Sequence, residues 1–427
     1  MKKKILIIED DPIVSHIYRS RLENDGFEVD VAADGQAGYY RLFEMKPSAL
    51  VLDLMLPKLN GIDLLKKIRA TREFEKLPVV VFTNAYVANM IHEALTAGAS
   101  GVYNKSTITP RQIIDVLNTL LSPEHAAADA TSNGSNGSSA SHSANGAKNG
   151  GAALTADGKD DSSFQKELMT TFLASSGSAV SEMRKMLQEA SRADEVARVA
   201  HVNVLFRKVR AFSSSAGMAG LPALAKIGGA TEALVKEMMD KPKSVTPSTL
   251  RTTAQAIDSF AELSKAGLRA DLADNPPIEI LIVDDEVLSR RAIVYALEKA
   301  FLKATSVEDS EAALAQTHTK KFDLMFLDVN MPGMDGFQLA DKLRQNGVNK
   351  TTPIVFVTGS NDFQVRAQST LRGASDLIAK PFMFIELTVK ALTFALRHRI
   401  TTQREALTTA TASARSTKPA ENAELII

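Results

Sequence analysis

The sequence predicts two parallel α/β domains flanking an all-α antiparallel helix bundle. Three observations carry this reading. The N-terminal and C-terminal blocks repeat the same short, β-branched apolar runs, each ending on a polar residue. The block between them carries helical apolar spacing with no strand alternation. A polar low-complexity stretch and a Pro-Pro break separate the blocks.

In the first block, residues 1–121, the strand runs are Ile5-Leu6-Ile7-Ile8, Ala49-Leu50-Val51-Leu52 and Val79-Val80-Val81-Phe82. Helical patterns such as Ile13, Ile17 and Leu22 lie between them. Buried strands alternating with amphipathic helices indicate βαβ units and a parallel sheet. Residues 122–161 are Ser, Asn, Gly and Ala-rich and cannot bury enough surface to offset their ordering entropy, so a flexible linker is expected. Residues 162–274 repeat at helical spacing: Val199, Val202, Phe206, Val209, then Leu221, Leu224, Ile227, Leu234, then Ile257, Phe260, Leu263. After Pro276-Pro277 the strand runs return as Ile280-Leu281-Ile282-Val283, Leu324-Met325-Phe326-Leu327 and Ile354-Val355-Phe356-Val357. The intervening helix pattern is Leu288, Ile293 and Leu297, and this second α/β block spans 277–400. The Thr, Ala and Ser-rich residues 401–427 are expected to fray from a last helix into a disordered tail.

Composition narrows the function. Hydrophobic residues make up 44%, enough for real cores, and the formal net charge is +0, so neither a nucleic-acid nor an anionic-membrane partner is expected. With 0 Cys there is neither a thiolate metal site nor a Cys nucleophile. The first apolar run is too short for a signal peptide and no run approaches a membrane span, so a cytoplasmic protein is expected.

The polar residues at the strand ends form one pattern twice. An acid pair follows the first strand (Asp10-Asp11; Asp284-Asp285), and a single Asp ends the third (Asp53; Asp328). A Thr ends the fourth strand (Thr83; Thr358), and a Lys follows the fifth (Lys105; Lys380). In parallel sheets the carboxyl ends of the strands are where functional groups gather. Clustered carboxylates repel, and a hard divalent ion such as Mg²⁺ relieves that repulsion. A carboxylate can attack phosphorus to form an acyl phosphate. Lys and Thr would stabilise charge on the transferred phosphoryl oxygens.

On these residues both blocks resemble response-regulator receiver domains, with a five-stranded, doubly wound, flavodoxin-like fold. The resemblance implies that Asp53 and Asp328 accept the phosphoryl group. It implies a Mg²⁺ site made by Asp10, Asp11, Asp53 and the Met55 carbonyl, and a second made by Asp284, Asp285, Asp328 and the Asn330 carbonyl. Thr83, Lys105, Thr358 and Lys380 would sense the phosphoryl group. Pro57, Gly61, Pro332 and Gly336 also match. Two departures stand out. Ser106 follows Lys105 where the family has the proline present here as Pro381, and Val102 and Leu377 occupy the aromatic switch position, with Tyr103 offset by one.

The central block resembles a histidine-phosphotransfer domain around Ala216 to Leu221. Registered there, Arg210 occupies the acceptor position, with Ser213 at the family's Lys and Ser214 at its Gly. Guanidinium keeps its proton and is no nucleophile, so this register implies a degenerate docking or dimerisation domain. His201 is the competing acceptor, with suitable chemistry but with Val204 and Leu205 where Lys and Gly are expected. The other histidines, His16, His92, His125, His142, His318 and His398, show no ligand spacing.

The expected function is that of a phosphorelay response regulator with a sensor histidine kinase or phosphotransfer protein upstream, a downstream protein partner, and scope for a homodimer. A relay intermediate using the central block is the alternative. No enzyme beyond self-dephosphorylation is expected. A haloacid-type phosphatase would want an acid where Met55 and Asn330 stand, and no Walker-type loop is present.

Overall fold

The computed structural model describes residues 2–83, 88–105, 110–122, 158–265, 272, 275–345, 347–359 and 375–416. The chain divides into two compact units: residues 1–175 with 211–221, and residues 176–210 with 222–427.

The first unit holds β1 (Lys4–Ile8), α1 (Pro12–Asn24), β2 (Glu28–Ala32), α2 (Gly35–Met45), β3 (Ala49–Asp53), α3 (Gly61–Ala70), β4 (Val79–Thr83), α4 (Ala88–Thr96), β5 (Gly101–Asn104) and α5 (Pro110–Leu120). The strands pair in the order β2-β1-β3-β4-β5, all parallel. Alternate residues point to opposite faces. Leu6, Ile8, Leu50, Leu52, Val79 and Val81 therefore pack on one side with Leu64, Leu65 and Ile68 of α3. Ile5, Ile7, Val51, Val80 and Phe82 pack on the other with Val14, Tyr18 and Leu22 of α1 and Ile113, Ile114 and Leu117 of α5. Both faces are covered, which is why the strands read as unbroken apolar runs. Met218 joins the second of these clusters.

Among its described residues, the central block holds the α-helices α6 (Gly158–Arg192), α7 (Glu195–Met218), α8 (Pro222–Asp240) and α9 (Pro247–Leu263). Helix α6 begins at Gly158, inside the stretch expected to be linker; residues 123–157 of that stretch lie outside the described residues. Lys208 reaches Glu182, and His201 faces Glu189, so α6 and α7 run antiparallel. Thr246 caps α9 through a reciprocal pair with Thr249, ahead of Pro247 at the first helical position.

The second α/β block holds β6 (Ile280–Val283), α10 (Val287–Lys299), β7 (Ala304–Val307), α11 (Ser310–Thr319), β8 (Leu324–Asp328), α12 (Gly336–Gln345), β9 (Ile354–Thr358), β10 (Asp376–Ala379) and α13 (Phe384–Ser416). Its parallel order, β7-β6-β8-β9-β10, repeats the first sheet. Leu288, expected on the buried stripe of α10, is 74% exposed. It stands five residues before Ile293, which at 3.6 residues per turn turns it away from the core. Helix α13 continues past Thr401 to Ser416, through part of the segment expected to be a disordered tail. Residues beyond Ser416 lie outside the described residues.

Helix α13 carries charge into its packing against α9. Lys390 is fully buried and paired with Asp376 at the start of β10. Glu386 accepts from the Ser248 hydroxyl at 2.6 Å and the Thr252 hydroxyl at 3.0 Å, both on α9. Arg251 lies 3.5 Å from Asp376. Two cations and two anions thus form a charge-balanced network, with the Lys390, Asp376 and Glu386 side chains buried and Arg251 at its partly exposed edge.

Each acceptor strand is crossed closely by the start of the next helix. A Cβ on Gly61 would lie 2.2 Å from the Asp53 carbonyl oxygen, and one on Gly336 would lie 2.0 Å from that of Asp328. Both are impossible without moving backbone. Gly61→Ala and Gly336→Ala are each expected to lower stability by about 1–3 kcal/mol and to displace the adjoining Asp. Denaturant midpoints and Mg²⁺-dependent phosphorylation of each variant check this.

Candidate functional site

In the first α/β domain, Asp53 ends β3 and is almost wholly buried. Its Oδ1 accepts from the Met55 backbone N–H at 3.1 Å, and its Oδ2 accepts from Lys105 Nζ at 2.7 Å. Lys105, following β5, also pairs with Glu9. The second domain repeats this: Asp328 Oδ1 accepts from Asn330 N–H at 3.2 Å, and Oδ2 from Lys380 Nζ at 2.7 Å. Lys380 lies 2.9 Å from Asp284 and 3.7 Å from Glu286. The backbone amides of Met55 and Asn330 thereby tie their own loops, and their carbonyls, to the acceptor carboxylates. Thr83 and Thr358 are buried at the ends of β4 and β9, whose carbonyls accept from the Lys105 and Lys380 N–H groups.

The acid cluster of the first domain is Glu9, Asp10 and Asp53, with ligand atoms all within 4.8 Å of one another; that of the second is Asp284, Asp285 and Asp328. This corrects the expected set in one place. Asp11 caps α1, its Oδ1 accepting from Val14 N–H at 3.2 Å and its carbonyl from Ser15 N–H. Glu9, not singled out in the sequence, takes the place that Asp284 fills in the second copy. The signal was available: β1 ends at Ile8 and β6 at Val283, so the first acid after each strand is Glu9 and Asp284. Counted from the strand ends, Asp10-Asp11 and Asp284-Asp285 are offset by one residue.

The donor sets fit Mg²⁺. Each offers three carboxylates on oxygen-only chemistry, which suits a hard cation that keeps several waters. The electrostatics agree. Burial pushes the Asp328 carboxyl above the usual Asp value, against the pull of Lys380, and Asp284 adds to the rise. Burial opposes the charge on Lys380, but its bonds to Asp328 and Asp284 outweigh that and raise it overall. Acid and base rise together for different reasons: burial dominates at Asp328, and the carboxylate partners dominate at Lys380.

The aromatic position behaves as its residue types dictate. Leu377 is buried, and Val102 packs against the core on its face of the sheet. Tyr103 points to the other face and stacks on Phe82 at 5.8 Å. Ser106 lies outside the described residues, and the Lys380-Pro381 bond is cis.

In the helical block, Arg210 is 6% exposed and faces Glu232 at 3.8 Å. A docked acceptor must be reachable from solvent, so burial removes Arg210 from the exposed position that the register assigned to it. His201 is about one-third exposed with Nδ1 3.4 Å from Glu189. His125 and His142 lie outside the described residues. No described helix is long and apolar enough to cross a membrane.

Two outcomes are expected from calorimetric Mg²⁺ titration. In a chain carrying Asp328→Ala, Asp10→Ala should weaken Mg²⁺ binding at least about tenfold, whereas Asp11→Ala should leave it unchanged and cost about 1 kcal/mol of stability through the lost helix cap. In a chain carrying Asp53→Ala, Mg²⁺ binding to the second domain should weaken on going from about pH 7 to about pH 5. The raised Asp328 carboxyl takes up its proton earlier than an ordinary Asp, and a protonated carboxyl is a poor ligand.

The response regulator receiver domain model matches residues 5–118 and 280–392, together more than half of the chain. The transcriptional activator protein IrlR of Burkholderia pseudomallei is 36% identical over 113 residues, covering 26% of this chain and 48% of that protein. The phosphate regulon transcriptional regulatory protein PhoB of Rhizobium meliloti is 36% identical over 110 residues, again 26% and 48%. The chain thus spans about half the length of these curated relatives. Among solved structures, chemotaxis protein CheY4 of Vibrio cholerae is 30% identical, covering 27% of this chain and 95% of that one with a TM-score of 0.26. With two matched domains, each placing an Asp, a Lys and an acid cluster at the carboxyl edge of a five-stranded parallel sheet, this chain belongs to the response-regulator receiver family and carries two receivers.

Proposed function

We propose that this protein is a cytoplasmic phosphorelay regulator whose two receivers take phosphoryl groups onto Asp53 and Asp328 from a sensor histidine kinase or a phosphotransfer protein. The observation that carries the reading is the duplicated Lys–Asp contact, 2.7 Å from Nζ to Oδ2 in both domains. In the reaction a carboxylate oxygen of Asp53 or Asp328 attacks phosphorus as the bond to the donor nitrogen breaks, leaving an acyl phosphate. Lys105 and Lys380 already hold the acceptor carboxylate and stand ready to pair with a phosphoryl oxygen. Glu9, Asp10 and Asp53 in the first receiver, and Asp284, Asp285 and Asp328 in the second, would hold Mg²⁺, which would neutralise charge building on the phosphoryl group. The Thr83 and Thr358 hydroxyls offer donors at the neighbouring strand ends. Hydrolysis of the acyl phosphate is the only turnover proposed.

A protein donor needs a surface beside the acceptor. In the second receiver, Val287 and Leu288 follow directly on Asp284 to Glu286, and Phe384 follows closely on Lys380. These three and Tyr295 are exposed, with Tyr295 and Phe384 rings 5.5 Å apart. Exposed apolar side chains grouped beside a reactive residue suit docking of a partner. The helical block is read as non-transferring because Arg210 is buried beside Glu232. Output then passes through contact with a downstream protein.

Mass-spectrometric mapping after Mg²⁺ and a small phosphodonor, repeated with a phosphorylated receiver as donor, tests this. Phosphate is expected on Asp53 and Asp328, with each signal lost in the corresponding Asp→Ala variant and neither altered by His201→Ala. Absence of label on both aspartates would sink the reading. Label on His201 would convert the helical block into a relay element.

A further inference from the structure

Cations gather without matching acids at the end of the second receiver opposite its acceptor. A cleft of about 610 Å³ opens there between the end of α12, the loop before β9, and α13. Pro353 precedes β9 and Ser375 precedes β10, so this cleft lies at the amino ends of the strands, while Asp328 and Thr358 stand at carboxyl ends.

Arg344, Lys350 and Arg397 line the cleft, and among its described lining residues Glu405 is the single acid. Arg344 is half-buried. Its Nη1 donates to the Lys350 carbonyl at 2.9 Å and the Thr352 carbonyl at 2.7 Å, which fixes the guanidinium plane. Among the described residues nothing accepts from its Nε or Nη2, and no carboxylate pairs with it. A guanidinium has five N–H donors, so three are unused. Burial lowers the Arg344 pKa, yet the group remains charged at neutral pH. The loop it grips is held from inside as well. Asn349, nearly fully buried, accepts from Phe322 N–H at 2.8 Å and donates to the Thr317 and Lys320 carbonyls. The site is therefore built before any ligand arrives. His398 also lines the cleft, is 9% exposed, and has a buried Nε2 without a hydrogen-bond partner. Buried polar atoms are rarely left so. Phe394 adds a buried aromatic wall.

We propose that this cleft binds a small phosphate-bearing anion. A pinned guanidinium with a free edge suits phosphate oxygens, which it engages through two parallel N–H donors. The exposed Lys350 and Arg397 bring further positive charge to the same opening. The volume falls within the roughly 300–1,000 Å³ range of small-molecule sites and is too small for a folded partner. Inorganic polyphosphates and nucleotides share this chemistry.

Calorimetric titration of the full chain without Mg²⁺, with inorganic pyrophosphate and with ADP in parallel, tests the proposal. Saturable binding is expected, with Kd between about 1 μM and about 1 mM. Lys350→Ala with Arg397→Ala should weaken it at least about tenfold, leaving the unfolding midpoint and phosphorylation of Asp328 unchanged. Asp53→Asn with Asp328→Asn should leave the anion affinity intact. Tighter ADP than pyrophosphate would assign the cleft to nucleotides, and equal affinity to phosphate groups alone; either supports it. Three results would overturn it: no saturable binding of either anion at several millimolar, full affinity in the Lys350/Arg397 variant, or binding lost with the two acceptor aspartates.

Discussion

Both receivers are organised around one electrostatic constraint: three carboxylates gathered at buried strand ends, with a single lysine to hold them. Their ligand atoms lie within 4.8 Å of one another. Such a cluster repels itself strongly in a low-dielectric setting, and a cation or an added proton offsets it. Lys105 and Lys380 supply one charge each, tied to the acceptor at 2.7 Å. The remaining negative charge is what a bound divalent cation would offset. The strand order, with the acceptor strand central in each sheet, brings acids from the first strand and the lysine after the fifth to one edge. Gly61 and Gly336 let the next helix cross the acceptor strand's last carbonyl.

The two copies solve the constraint with different solvent access. The Lys105 side chain is 2% exposed and that of Lys380 17%. Glu9, one methylene longer than Asp284, reaches Lys105 from the same strand position. The more closed first site keeps its ion pair dry, and the second leaves its ammonium partly wet. A buried pair loses several kcal/mol when one partner is removed, because the other charge is stranded. The same substitution therefore weighs more heavily on the first receiver's fold than on the second's.

Helix α13 ties the second receiver to α9 of the helical block within its own unit. It carries Lys390 and Glu386 into a charge-balanced network with Asp376, Arg251, Ser248 and Thr252. Burial lowers the Lys390 pKa despite the Asp376 and Glu386 carboxylates beside it. About two turns further along the same helix, Arg397 and His398 meet Arg344 around an acid-poor cleft. One long helix thus links a closed polar network to an open cationic one.

Most of the receiver fold was legible in the sequence, because buried parallel strands must be short apolar runs and catalytic groups must follow them. The strand-end placement of Asp53, Asp328, Thr83, Thr358, Lys105, Lys380, Asp284 and Asp285 was legible from position, as was the helical character of the middle block. Other features depended on three-dimensional packing. Asp10 and Asp11 are equal as letters, and only the point where β1 ends separates a cluster acid from a helix cap and brings in Glu9. Leu288 reads as apolar core until the helix turn rotates it outward. Arg210 matches an acceptor register in sequence, yet its burial beside Glu232 is decided by which helix packs against it. Lys350 and Arg344 are unremarkable basic residues in a neutral chain. They become a site only because α12, the β9 loop and α13 converge, since a local excess of charge is a property of distance and burial, and composition averages both away.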